Sequence, residues 1–213
     1  MVSNAHLSPP ARVRIIGGQW RRTLIPVPAV PGLRPTPDRV RETLFNWLGQ
    51  DLAGWRVLDL FAGTGALGFE AASRGAQSVL MVERDPKALE SLHTVRQRLN
   101  AQQVVLEAGD AMAVAGRLAL RQARGFDLIF LDPPFGADWP TRVRPLLGPL
   151  LADGGWVYLE AETKLQSQTE AVTAWTEAGF TVVRSASAGR VHYHLLKFQG
   201  SSFYEDCGLS RNV

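Results

Sequence analysis

Arg56-Val57-Leu58-Asp59-Leu60-Phe61-Ala62-Gly63-Thr64-Gly65-Ala66-Leu67-Gly68 decides the fold. The apolar run Arg56–Phe61 reads as a buried strand, and a helix is expected after Gly65. Gly63-x-Gly65-x-x-Gly68 marks the junction between them. Glycines there permit a tight turn and close approach of the backbone to a bound group. The same spacing also serves a mere packing turn, so its weight comes from the strand–helix setting.

Outward from this junction the chain alternates strand and helix. Ser78–Glu83 is a second strand, and Asp85-Pro86 opens a helix whose Ala88, Leu92, Val95 and Leu99 share a face before Asn100 closes it. Val104–Ala108 is a third strand, followed by a helix over 111–122. Phe126–Leu131 is a fourth, with a helix around 141–152. Trp156–Glu160 is a fifth, with a helix over 167–178, and Phe180–Ser185 and Val191–Phe198 close the pattern. Alternation of this kind implies an α/β fold with a parallel sheet and helices on both faces. The last two strands are too close for a crossover helix, so they should pair antiparallel.

Before the first strand lies an arm rich in arginine and proline. Residues 1–42 hold seven arginines (12, 14, 21, 22, 34, 39 and 41) against Asp38 and Glu42, a net of +5, while the rest of the chain carries −2. Such an arm suits phosphate, because the guanidinium fork binds oxygens in pairs. A compositional reading also stands, since 20 of the 23 basic residues are arginine. Gly17-Gly18 reads as a hairpin turn between Arg14–Ile16 and Arg22–Ile25. A helix is expected from Pro37, capped by Thr36, with Val40, Leu44, Trp47 and Leu48 on its apolar face and Gly49 as its stop. No apolar stretch reaches the roughly 18 residues of a membrane span. No basic-then-apolar start suggests a secretory signal. The single cysteine, Cys207, fits a reducing cytoplasm. Residues 200–213 are expected to be a disordered polar tail.

Chemistry concentrates where strands end. Glu83, twenty residues after Gly63, could accept from both hydroxyls of a ribose or stand as a plain strand-end acid. Asp110 could face an adenine amine, directly or through the Ala111 backbone, or cap the next helix. Asp132-Pro133-Pro134-Phe135 follows the fourth strand. The prolines end the hydrogen-bond ladder and leave carbonyls free. Asp132 and the Pro133 carbonyl can take the two N–H bonds of an exocyclic amine, while Phe135 stacks on the base. A nicotinamide dinucleotide and S-adenosylmethionine both suit the glycine turn and Glu83, but only methyl transfer uses an amine clamp. His6, His93, His192 and His194 show no metal-ligand spacing, and no metal is expected.

Asp59–Gly68, Glu83, Asp110 and Asp132–Phe135 resemble the motifs of class I S-adenosylmethionine-dependent amino-methyltransferases. Gly32-Leu33-Arg34-Pro35-Thr36-Pro37-Asp38-Arg39-Val40-Arg41-Glu42-Thr43-Leu44-Phe45-Asn46-Trp47-Leu48, with Arg14–Gly18, is similar to the RsmD family. These are bacterial methyltransferases of guanine N2 at position 966 of 16S rRNA. The resemblance covers roughly residues 12–198. It implies a Rossmann-like, seven-stranded, mostly parallel sheet in a cytoplasmic enzyme, expected to be monomeric. It also implies S-adenosylmethionine as cofactor and a partly assembled small ribosomal subunit as substrate. The implied cofactor residues are Asp59, Phe61, Gly63, Thr64, Gly65, Glu83, Arg84, Asp110 and Ala111. Asp132, Pro133 and Phe135 would hold the guanine. Arg12, Arg14, Arg21, Arg22, Arg34, Thr36, Arg39 and Arg41 are expected at the RNA or the methionine end. The organisation expected is an arm over 1–36, a catalytic domain over 37–199 and the tail. Rival readings are an amino-methyltransferase of DNA bases or protein glutamine, a nicotinamide-dependent oxidoreductase, and a non-catalytic RNA-binding assembly factor.

Overall fold

The computed structural model describes residues 11–121, 125–134, 136, 138–167 and 169–200. Of the disordered tail expected over 200–213, residues 201–213 lie outside them, as does the stacking role of Phe135. The arm forms two short antiparallel strands, β1 (Arg12–Arg14) and β2 (Leu24–Pro26), with Val13 opposite Ile25. Helix α1 (Asp38–Leu48) follows and ends at Gly49, whose φ of 91° is the left-handed stop expected there. Thr36 is not its cap: Pro37 holds that position, and no side chain among the described residues caps the helix.

The remaining elements are β3 (Arg56–Asp59), α2 (Ala66–Ser73), β4 (Ser78–Glu83), α3 (Pro86–Arg98), β5 (Val104–Ala108), α4 (Ala111–Leu120), β6 (Phe126–Leu131), α5 (Trp139–Leu147), β7 (Leu151–Ala161), a 3-10 turn (Leu165–Ser167), α6 (Thr169–Glu177), β8 (Phe180–Ala188) and β9 (Val191–Phe198). Strands β3 to β9 make one sheet in the order β5-β4-β3-β6-β7-β9-β8. β9 runs antiparallel to both its neighbours, and the other strands are mutually parallel. Successive strand residues point to opposite faces, so a sheet covered on both sides reads as continuous apolar runs. Val57, Val79, Met81, Leu128 and Phe130 pack with α1, α2 and α3, whereas Leu58, Val82, Ile129, Leu131 and Val157 pack with α4, α5 and α6. Val13, Ile15 and Ile25 belong to the first of these cores, so the arm's hairpin is built into the domain.

The junction of α5 and β7 differs from the sequence reading. α5 stops at Leu147, short of 152, because the Leu150 carbonyl accepts the Gly125 and Phe126 amides and draws the chain into the sheet. β7 accordingly begins at Leu151 opposite Phe126, loops out 152–155, and resumes with Trp156 opposite Leu128. Gly154 (φ 71°) allows that bulge, and a Cβ on Gly155 would lie 2.9 Å from the Ala152 carbonyl. Neither change disturbs the functional edge. From β3 the chain builds outward through β4 and β5, then returns to lay β6 on the other side of β3. That reversal opens a crevice at the carboxyl ends of the strands, where open α/β sheets bind ligands.

Candidate active site

β3 delivers Asp59 to this crevice, and the glycine turn follows. Gly63 and Gly65 have φ of 53° and 80°. A Cβ on Gly65 would sit 2.6 Å from Leu92 and Phe69, and one on Gly68 2.8 Å from Met81, so these glycines hold α2 tight against its neighbours. The Gly63 amide donates to Glu83 Oε2 at 2.8 Å, and the Asp85 amide to Oε1 at 2.7 Å. Glu83 therefore ties the turn to the start of α3, and each oxygen keeps capacity for another donor. Asp110 caps α4, its Oδ1 accepting from the Met112 and Ala113 amides, with Ala111 buried beside it. Thr64 is buried, and Phe61 meets Trp139 edge to face at 5.1 Å. Arg84 is exposed at the rim.

Asp59 is the anomaly beside the glycine turn. It is buried, and among the described residues neither carboxylate oxygen has a hydrogen-bond partner of good geometry. Burial first, and the nearby Asp132 charge second, push its pKa up to about 8, opposed by the Phe61 and Gly68 amides. An unpartnered buried acid is costly unless a ligand completes it.

Asp132 lies across the crevice at the end of β6. Thr36 Oγ1 donates to its Oδ2 at 3.0 Å, a contact spanning 96 residues of sequence. This replaces the helix-capping role expected of Thr36. Glu160, at the matching end of β7, hydrogen-bonds Asp132 with its own carboxyl and receives the Tyr158 hydroxyl on Oε1 at 2.6 Å. Burial pushes Asp132 up to about 6, against the hydrogen bonds from Thr36 and Glu160. Burial and the Asp132 charge push Glu160 up to about 8. Near neutral pH the pair thus holds one negative charge and one shared proton. Beside it a cavity of about 730 Å³ opens, lined by Pro133, Pro134, Trp139, Arg144, Glu160 and Trp175 among others. That volume accommodates a nucleoside-sized group.

The arm approaches from the other face. Glu70, wholly buried on α2, accepts from the Ile16 and Gly17 amides at 2.7 and 2.8 Å, from Arg41 at 3.2 Å and from Arg74 at 2.8 Å. A Cβ on Gly18, which has φ of 72°, would meet the Ser73 carbonyl at 1.8 Å. Gly17-Gly18 is therefore the arm's docking point; the chain reverses later, where the Arg21 amide reaches Gly18 and the Thr23 amide reaches Trp20. Arg41, read as an RNA or methionine-end residue, is fully buried and cannot meet either. Its guanidinium binds the Thr36 carbonyl at 3.1 Å, the Arg14 carbonyl at 2.8 Å, Asp38 at 2.7 Å and Glu70. Burial lowers its pKa, and Glu70 and Asp38 raise it again. Arg12, Arg14, Arg21, Arg22, Arg34 and Arg39 are exposed, Arg14 pairing loosely with Asp38 at 3.4 Å.

Residues 13–197 match the model of a family described as Conserved hypothetical protein 95. The chain belongs to this family. It is 40% identical over 190 residues to the ribosomal RNA small subunit methyltransferase D of Escherichia coli K12, spanning 86% of this chain and 89% of that protein. The Haemophilus influenzae protein of the same name is 34% identical over 183 residues, spanning 86% and 92%. The solved Escherichia coli structure yhhF, named as a methyltransferase, matches with a TM-score of 0.75 and 35% identity over 90% of this chain and all of that one. The family likeness read from the Asp132 motif and the 32–48 stretch is borne out. The sheet with its single reversed strand is likewise that of the expected fold.

Within this family frame two participants, Glu160 and Tyr158, escaped the sequence reading, which took them only as the end of a strand. Thr36, expected as a cap and at the RNA or the methionine end, meets Asp132 instead. The signal for Glu160 was its position, since an acid closing the strand beside Asp132's strand must sit next to Asp132 once the two are paired.

Proposed function

We propose that the chain transfers a methyl group from S-adenosylmethionine to the exocyclic N2 of a guanine, that at position 966, in 16S rRNA of a partly assembled small subunit. The observation carrying this reading is Asp132-Pro133-Pro134 at the end of β6, one strand from the glycine turn after β3. The residues present fit the cofactor. The unpartnered Asp59 carboxylate suits a cationic ligand. Glu83 would take the ribose hydroxyls, Asp110 and Ala111 would border the adenine, and the backbone of Gly63, Thr64 and Gly65 would pass close beneath. When bound, S-adenosylmethionine supplies a methyl made electrophilic by its sulfonium.

The chain's own residues do the rest. The guanine amine is a poor nucleophile because its lone pair is delocalised into the ring. Asp132 and the Pro133 carbonyl accept its two N–H bonds, fix its orientation and stabilise the positive charge that grows on nitrogen. Thr36 holds Asp132 in its ionised form. The exposed arm arginines grip phosphate, which positions the RNA, while the edge of the sheet specifies the base. A nicotinamide dinucleotide fits less well, since its pyrophosphate would share the crevice with Asp59 and Asp132. Replacing Asp132 by Ala tests the assignment, with methyl incorporation measured on small subunits from a strain lacking the modification. Loss of turnover is expected, and undiminished turnover would overturn the catalytic role. RNA binding by the wild-type chain without any transfer would favour a non-catalytic assembly factor.

A further inference from the structure

Glu160 has no task in the chemistry above, yet it stands at its centre. It lies one residue before the end of β7, alongside Asp132, because Leu159 pairs with Leu131 in the β6–β7 register. It is 7% exposed and lines the cavity beside Pro133 and Pro134. Its Oε1 is pinned by the Tyr158 hydroxyl at 2.6 Å, which fixes the carboxyl's direction. We infer that Glu160 reads the N1–H of the target guanine, making the site specific for a base whose amine adjoins a ring N–H. This rests on the guanine-N2 reading proposed above and adds the group that selects guanine.

The chemistry of the bases supplies the reason. In guanine the amine and N1–H lie side by side and point the same way, so the edge offers adjacent donors. In adenine and cytosine the amine adjoins a bare ring nitrogen, which is an acceptor. Two neighbouring carboxyl groups offer adjacent acceptors, Asp132 for the amine and Glu160 for the ring N–H. With both acids ionised they match guanine and set lone pair against lone pair with the other two bases. The groups around Glu160 are Asp132 on β6, Tyr158 on its own strand, Tyr193 opposite on β9, and Arg144 and Glu162 along the cavity. The raised pKa of Glu160, near 8, means that the free site stores a proton between the two acids. Guanine binding displaces that proton to solvent, whereas a bare ring nitrogen could accept it, so the discrimination is complete only above about pH 8, where both carboxyls are ionised.

The test compares kcat/KM, above pH 8 where Glu160 is ionised, on small subunits whose target position carries guanine or 2-aminopurine, which keeps the 2-amino group and has no hydrogen on N1. The wild-type chain should prefer guanine by on the order of 10²-fold or more, as sites built to bond a buried donor reject an analogue lacking it. In Glu160→Gln the carboxamide nitrogen can donate to the bare N1, so the preference should collapse to within about tenfold or invert. Each ratio is taken within one protein preparation, so a partly misfolded variant does not bias it. Equal ratios for wild type and variant would overturn this inference alone. Failure of the wild type to methylate guanine N2 would overturn the proposed function and the inference with it.

Discussion

Replacing Arg41 by Met should cost about 3–5 kcal/mol of stability, the range for removing one partner of a buried ion pair. The side chain has no exposure, and four groups depend on it: the Thr36 and Arg14 carbonyls, Asp38 and Glu70. Glu70 keeps Arg74 and two backbone amides, which pulls the cost toward the lower end. The two stranded carbonyls pull it back up by about 1 kcal/mol each. With a urea slope of about 2–3 kcal/mol per molar, the midpoint should fall by about 1–2 M. Tryptophan fluorescence during urea unfolding reads this directly, since Trp20, Trp47 and Trp55 pack against the same core. Arg39→Met, two residues away and exposed, is the control and should stay within about 0.5 kcal/mol of wild type. A loss at Arg41 of under 1 kcal/mol would refute the claim that this arginine binds the arm to the domain.

Thr36→Val removes a hydrogen bond that favours ionised Asp132, so the Asp132 pKa should rise above about 6 and the acid limb of the kcat/KM profile should move to higher pH. Thr36→Ser should restore it, and an unmoved limb in Thr36→Val would mean that the hydroxyl serves packing alone. Asp59, Asp132 and Glu160 all titrate higher folded than unfolded, so the folded chain binds more protons between their ordinary values and about 8. Stability of the cofactor-free protein should therefore fall as pH rises from 6.5 to 8.5, and Asp59→Asn should flatten that slope; urea midpoints at the two pH values check it. Below pH 6.5 the opposite trend of His194, buried and lowered to about 4, would mask the effect. Changing Arg12, Arg21 and Arg22 together to Ala should weaken RNA binding and flatten its salt dependence by up to about 0.7–0.9 per lost phosphate contact, measured by filter binding across salt. An unchanged slope would remove the arm from the RNA interface.

Local rules made most of the fold legible. Apolar runs of strand length, the glycines at 63, 65 and 68, the Asp85-Pro86 helix start and the Gly49 stop all act within a few residues of themselves. What stayed hidden depends on contacts distant in sequence. Thr36 before Pro37-Asp38 looks like a cap, and only the placement of β6 shows that its hydroxyl goes to Asp132 instead. The Gly17-Gly18 pair looks like a turn until the end of α2 presents the Ser73 carbonyl. Arg41 offered a local clue, because it shares the buried face of α1 with Val40, Leu44, Phe45 and Leu48. Charge balance along the chain hid it, since a buried arginine counts the same as an exposed one. The role of Glu160 required the strand order, which hydrophobic period does not encode.

The Asp132 edge is proposed to methylate guanine N2 in 16S rRNA. The most direct test of that proposal incubates the purified chain with labelled S-adenosylmethionine and small subunits lacking the modification, then maps the label by mass spectrometry of digested rRNA. N2-methylguanosine at position 966 alone is expected. A methyl on another base or atom, or none at all from a folded protein, would contradict it.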